Sequence, residues 1–291
     1  MGIISTLING LSMGAVYALI ALGYTMVYGI AKMLNFAHGD VIMVGSYVLF
    51  LFTMRFIQNP FVAIFCAIIF CVILGVLVER IAYRPLRGAP SLAVLITAIG
   101  VSFLLQSLAQ LIFTVTPKQV PLFNFKAIEI GSLTIKMQSI ITLVAGIIIM
   151  IALTVFVNRS KTGRAMLAVS EDRGAAQLMG INVNRTIAIT FAIGSALAAV
   201  ARVFMLFIAP VTNPTLGAMP GIKAFVAAVL GGIGSIPGAA IGGLILGIVE
   251  QLALKYEFLA PYSDAIVFAI LIIVLLFKPA GLLGKKRHEK V

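Results

Sequence analysis

The sequence is a succession of long apolar runs, each near the length a helix needs to cross a lipid bilayer, with little chain between them. The hydrocarbon core is about 30 Å thick and an α-helix rises about 1.5 Å per residue, so about 20 consecutive apolar residues make one span. Runs bounded by charge or proline fall at 9–30, 40–55, 61–79, 91–114, 137–158, 187–208 and 264–278, and a glycine-interrupted stretch covers 222–254. A membrane barrel would instead alternate apolar and polar residues over about ten positions per strand. The expected fold is therefore an all-α integral membrane protein, a polytopic bundle of about eight or nine transmembrane helices with a Gly-rich broken helix. With 62% of 291 residues hydrophobic and 10% charged, nothing remains for a sizeable soluble domain, and residues 1–291 read as a single transmembrane domain in the lipid bilayer.

The formal charge of +12 comes from 21 Lys and Arg scattered between apolar runs, so it reports topology and gives no reason to expect a nucleic-acid partner. Short cytoplasmic connections collect positive charge. One assignment dominates: Lys32, the Arg80/Arg84/Arg87 connection, the loop with Arg159, Lys161, Arg164, Arg173 and Arg185, and the tail with Lys278, Lys285, Lys286, Arg287 and Lys290 lie inside, fourteen cations in all. Five remain outside, Arg55, Lys118, Lys126, Lys136 and Lys255, while Arg202 and Lys223 fall at membrane depth. The N-terminus is then outside and the C-terminus cytoplasmic, which needs an odd number of crossings and favours counting the Gly-rich stretch twice. No Lys or Arg precedes Lys32, so the first run lacks the charged start of a cleavable signal and reads as the first span. Cys66 and Cys71, five apart in one apolar run, read as buried filler, neither a disulfide framework nor a metal site.

Two polar connections are too long to be mere links. The external one, 115–136, carries Pro117 and Pro121 and suits contact with an extracytoplasmic partner, or is a passive loop. The cytoplasmic one, 159–186, contains a string from Arg164 to Gly180 that predicts one short helix. Ser170 is a possible cap, Glu171 and Asp172 fall in the first turn, and Gly180 is the stop. Ala175, Leu178 and Met179 then share a face, and the small residues of Gly174-Ala-Ala176 allow close approach to a protein surface.

At membrane depth, Asn35-Phe-Ala-His-Gly-Asp40 is either a turn that caps the second helix through Asn35 or Asp40, or a polar mouth in which His38 and Asp40 line or gate a path. From Gly231 to Gly247, the pairs Gly238/Gly242 and Gly243/Gly247 have the spacing that lets helices approach closely, and Pro237 breaks the helix before them. Gly232, Gly234, Pro237 and Gly238 are the candidate break, which serves packing or turns backbone groups toward a path. Pro210-Val-Thr-Asn213-Pro214, followed by Gly217 and Pro220-Gly221, predicts an irregular outer segment able to meet substrate.

The string Tyr24-Thr-Met-Val-Tyr-Gly-Ile30, the turn Asn35–Asp40, Glu79-Arg-Ile-Ala-Tyr-Arg-Pro85, Gly180-Ile-Asn182 and Ala227-Ala-Val-Leu-Gly-Gly-Ile-Gly-Ser-Ile-Pro-Gly238 together resemble the permease subunit of branched-chain amino acid ABC transporters, the LivH type. The resemblance implies a permease of the prokaryotic inner membrane that forms half of an import path for small aliphatic amino acids. Glu171, Asp172, Arg173, Ala175, Ala176, Leu178 and Gly180 would sit in the cleft of a cytoplasmic ATPase. The implied partners are a second, similar permease, two ATP-binding subunits and an external substrate-binding protein. Asn35, His38, Asp40, Arg202, Asn213 and Glu250 are the candidate path residues. Arg202 departs from the family pattern, which usually has a small residue there. An unpaired Arg near a helix centre costs about 2.5 to 3.5 kcal/mol to insert, so either Glu250 pairs with it or it snorkels to the interface.

The chain has no G-x-x-x-x-G-K-[ST], since Gly281-Leu-Leu-Gly-Lys285 lacks both spacing and hydroxyl, so ATP would be bound elsewhere. With His38 and His288 alone and no H-E-x-x-H, neither a metal, a cofactor nor an enzymatic reaction is expected. Two alternatives stay open: a permease for another small solute such as urea or a short amide, and a self-sufficient secondary transporter using Arg202, Glu250, Asp40 or Lys223.

Overall fold

The structure, a computed structural model, describes residues 2–56, 59–123, 127–130 and 133–284. Lys126 and the tail residues Lys285, Lys286, Arg287, His288 and Lys290 lie outside the described residues. In chain order the elements are α1 (Ile3–Ala31), α2 (His38–Leu51), α3 (Pro60–Val78), α4 (Ser91–Phe113), β1 (Lys118–Gln119), β2 (Ala127–Ile130), β3 (Leu133–Lys136), α5 (Met137–Arg159), α6 (Lys161–Glu171), α7 (Arg173–Leu178), α8 (Val183–Ile208), β4 (Val211–Thr212), α9 (Ala218–Gly231), α10 (Ile236–Lys255) and α11 (Ser263–Phe277). A π turn, Phe52–Phe56, lengthens α2, and a π turn and a 3-10 turn carry α3 on to Leu86. Among the described residues, eight helices are long and apolar enough to cross a membrane, and the chain is a multi-pass membrane protein. The helix α9 is shorter, at 14 residues.

Local chemistry fixes the ends of these helices. Asn59 accepts a hydrogen bond from the Phe61 amide, and Pro60 occupies the first position of α3, where a missing N–H costs nothing. Ser235 caps α10 in the same way, accepting from the Gly238 amide at 3.2 Å, with Pro237 in the first turn. The Gly-rich stretch is thus two helices, α9 and α10, separated at 232–235, where Gly232 (φ +106°) and Gly234 (φ +95°) adopt backbone conformations that side chains disfavour. The all-helical expectation holds, with four short strands in the connections. β2 and β3 form a hairpin in the 115–136 connection, and β1 pairs antiparallel with β4 through Lys118↔Thr212 and Gln119↔Val211.

The chain folds as two compact units, one drawn from Met1–Thr25, Lys126–Thr154 and Lys223–Val291, the other from Met26–Phe125 and Val155–Ile222. In the first, α1 and α10 meet along glycine: a methyl on Gly14 would lie 2.7 Å from the Leu244 Cα, and one on Gly247 would overlap the Gly14 backbone. Lipid is as apolar as leucine, so such close backbone approach is what holds membrane helices together. The expected seam Gly243/Gly247 lies at this crossing, whereas Gly238 and Gly242 face Gly231 and Ala227 of α9.

In the second unit α8 packs on α2 and α3. Ala198, Ala199 and Ala201 are buried, Gly45 lies over Ala199, and Gly75 lies against Ser195. Val48, Leu49, Ala63, Ala67, Val203 and Leu206 form one core cluster, and Tyr47 stacks on Phe113 at 4.2 Å between ring centroids. The Cys71 thiol is buried at 3.6 Å from the Val41 carbonyl, while Cys66 is half-buried, so only one of the two is core filler. Phe61, Phe65, Phe70, Ile73 and Leu77 of α3 remain exposed, the apolar face expected against lipid.

Candidate functional site

Three side-chain caps, Ser160, Asp172 and Asn182, fall in the 159–186 connection. Ser160 starts α6 by accepting from the Gly163 amide at 2.8 Å, and Met166 and Val169 bury its inner stripe. The single helix expected from Arg164 to Gly180 is two, because Asp172 leaves the helix (φ −150°, ψ 116°) and caps α7, its Oδ1 accepting from the Ala175 amide at 3.0 Å. Ser170, the expected cap, sits in the last turn of α6 and donates to the Leu167 carbonyl, and Glu171 closes that helix. Aspartate wins because its carboxylate both accepts the free amide and favours the positive end of the helix. Gly180 (φ +81°) stops α7 as expected, and Asn182 then caps α8 through the Arg185 amide at 3.0 Å.

The expected coupling residues divide between two faces. Glu171, Asp172, Ala175, Leu178 and Gly180 are exposed, Leu178 at 90% and Met179 at 83%, an apolar pair bare on a polar helix. Arg173 and Ala176 turn inward. Arg173 donates to the Ala31 carbonyl at the end of α1, and burial, then the nearby charge of Arg87, pull its guanidinium below its ordinary pKa. Arg87 itself reaches Glu79 and Asn184.

Asn35 and Asp40 do not cap α2, whose N-cap is Ala37 with no side-chain hydrogen bond. Tyr83 donates to Asn35 Oδ1 at 2.8 Å, and Gln106 donates to Asp40 Oδ1 at 2.9 Å. Tertiary partners have taken the groups that a local turn would have used. His38 is buried between them in sequence, and Gly39 touches the Gly217 backbone, which seats this turn on the 213–221 segment. Asn213 closes a turn of its own, accepting from the Thr215 amide at 3.1 Å.

Arg202 and Glu250, expected as a pair, each have another partner within their own unit. Glu250 Oε1 accepts from Lys223 Nζ at 2.5 Å, and Lys223 also meets Asp264 Oδ1 at 2.6 Å. Arg202 donates to the Val211 carbonyl and is 1% exposed, so it does not snorkel either; its Nε and the neighbouring Thr212 Oγ1 have no partner among the described residues. Sequence spacing along one helix cannot show such cross-helix choices. Asp264 escapes a reading of the sequence altogether, because it opens an apolar run and resembles nothing more than its boundary. Among the described residues, no group of three His, Cys, Asp or Glu could hold a metal ion.

A polytopic helical bundle with glycine-packed spans, a broken helix and a capped, apolar-tipped connecting helix defines a membrane transport permease. The chain belongs to the family of permease components of branched-chain amino acid transport systems, whose model matches residues 6–275. It is 47% identical to the high-affinity branched-chain amino acid transport system permease protein BraD of Pseudomonas aeruginosa, over 98% of this chain and 97% of that protein. It is 48% identical to LivH, the corresponding permease protein of Salmonella typhimurium, over 97% and 96% of the two chains. In fold it resembles the solved PsaBC of Streptococcus pneumoniae in complex with Fab, with a TM-score of 0.52 at 16% identity, covering 94% of this chain and 91% of that one.

Proposed function

We propose that this chain provides, as one permease domain, half of the translocation path of an ATP-driven importer for branched-chain, small aliphatic amino acids. The substrate is carried over from the names of BraD and LivH, which match nearly the whole chain. The observation that carries the energy coupling is the bare Leu178/Met179 tip of a helix whose other face is anchored by Arg173 and Ala176. A solvated helix has no use for that tip; a protein groove does. The groove belongs to one of two cytoplasmic ATP-binding subunits, so Glu171, Asp172, Ala175, Leu178 and Gly180 make the contact. A second, similar permease completes the path, and an external binding protein delivers substrate to it.

The residues assigned to the path are Asn35, His38, Asp40, Arg202 and Asn213 in one unit and, in the other, Glu250 and the break at Gly232–Gly238. Positive charge places 159–186 in the cytoplasm of a prokaryote and the N-terminus outside the inner membrane. That orientation needs an odd crossing, supplied by α9 with the irregular residues that flank it.

One observation favours a second reading. Lys223, Glu250 and Asp264 form an ionisable cluster of the kind a secondary transporter would need. Uptake of leucine by vesicles separates the two. The chain alone should be inert with or without an ion gradient, and uptake should appear only when the second permease, the ATPase with ATP and the binding protein are added. Gradient-driven uptake by the chain alone would establish the secondary transporter instead.

A further inference from the structure

We infer that Arg173 is the positioning residue that ties the docking helix α7 to the end of α1, so that a displacement of α7 is delivered to that transmembrane helix. The inference rests on the reading that 159–186 docks on an ATPase, and it concerns the face of α7 turned away from that partner.

A helix of 29 residues ends in four carbonyls without intrahelical donors, at the negative end of its dipole. At α1 these are Tyr28, Gly29, Ile30 and Ala31, and donors reach Tyr28, Gly29 and Ala31. The Lys32 amide bonds to the Tyr28 carbonyl at 2.9 Å, the Lys32 ammonium donates to the Gly29 carbonyl at 2.5 Å, and Arg173 donates to the Ala31 carbonyl. Lys32 does this at φ +53°, a left-handed position where glycine is the usual residue. The backbone is therefore held in a disfavoured conformation that leaves the Ala31 carbonyl to a donor 142 positions away in sequence.

That donor sits in the first turn of α7, one residue after the Asp172 cap and three before buried Ala176. The end of α1 is thus fastened by a charge-assisted bond to the element whose opposite face carries Leu178 and Met179. Arg87, whose charge lies close to Arg173, is itself engaged by Glu79 and Asn184, at the ends of the neighbouring helices α3 and α8. Arg87 thus links the ends of α3 and α8 to each other, while Arg173 links the end of α1 to α7.

The test uses the full reconstituted transporter. Arg173→Ala should leave ATP hydrolysis within about twofold of wild type while leucine uptake falls about tenfold, and Arg173→Lys, which keeps a cation for the carbonyl, should recover part of the uptake. Spin labels at Leu34 and Gln177 should hold one fixed separation through the ATP cycle in the wild type and a broadened one in Arg173→Ala. Unchanged uptake by Arg173→Ala, a parallel loss of hydrolysis and uptake, or an unchanged label separation would overturn the inference. Leu178→Asp, on the opposite face, keeps the two claims apart: if it leaves ATPase binding intact, the docking reading fails whatever Arg173 does.

Discussion

Two buried cations, Lys223 on α9 and Arg202 on α8, are treated in opposite ways. Lys223 lies between two carboxylates, Glu250 and Asp264, and its charge is neutralised on the spot. Arg202 is the more deeply buried and, among the described residues, has one backbone carbonyl for its whole guanidinium. The difference teaches that depth alone does not give a charge its energetic role. Removing Lys223 orphans an anion, whereas removing Arg202 orphans only a carbonyl and relieves an insertion penalty.

The largest effect expected from this contrast is in Lys223→Ala, which strands the Glu250 carboxylate in a buried site and should cost about 3–5 kcal/mol. Measured as thermal stability of the detergent-solubilised chain, the loss should be mostly rescued by adding Glu250→Gln. Loss without rescue would mean the ion pair is not what holds the cluster together. Next comes Gly247→Leu, about one turn before Glu250 on α10. The added side chain meets the Gly14 backbone, so overpacking should cost about 1–3 kcal/mol and weaken the same cluster by displacing its acid. If Gly247→Leu and Lys223→Ala combine additively, the seam and the cluster are independent and this link is wrong.

Arg202→Met tests the other half. The Val211 carbonyl loses a donor worth about 1 kcal/mol, but a lone buried guanidinium costing about 2.5 to 3.5 kcal/mol to insert is gone. The variant should melt higher than wild type, by an amount corresponding to about 1.5 to 2.5 kcal/mol. A destabilisation like that of Lys223→Ala would abolish the contrast. The smallest expected effect is in Asp172→Ala, which removes the α7 cap for about 1 kcal/mol. Because the cap is exposed and serves one short helix, its effect on melting should be small while ATPase affinity falls several-fold; a melting loss as large as that of Gly247→Leu would show that α7 is part of the core.

Much of the architecture is legible in the sequence, because hydropathy and glycine act locally. The spans coincide with the apolar runs, and the Gly232/Gly234 break with Pro237 after it stands where the composition puts it. The start of α1 is not legible, since Ser5 and Thr6 look polar but return their hydroxyls to the Gly2 carbonyl and continue the helix. Nor is the choice of partners. Asn35 and Asp40 read as caps by position, yet Tyr83 and Gln106, 48 and 66 residues away, hold them. Asp172 displaces Ser170 as the cap because the chain bends between α6 and α7, a bend that no propensity on either side demands. Charges at membrane depth follow the same rule: Lys223 and Glu250 stand out singly and Asp264 does not, and only packing makes the three one cluster.

On the proposed function, the exposed tip of α7 receives the force of ATP hydrolysis from another subunit. A photoreactive residue placed at Leu178 in the assembled transporter tests it most directly, with Ala176, on the buried face, as the comparison. Leu178 should crosslink to the ATP-binding subunit and Ala176 only within its own chain. If Leu178 captures no such subunit, or is labelled from the exterior of intact cells, α7 is not the coupling element.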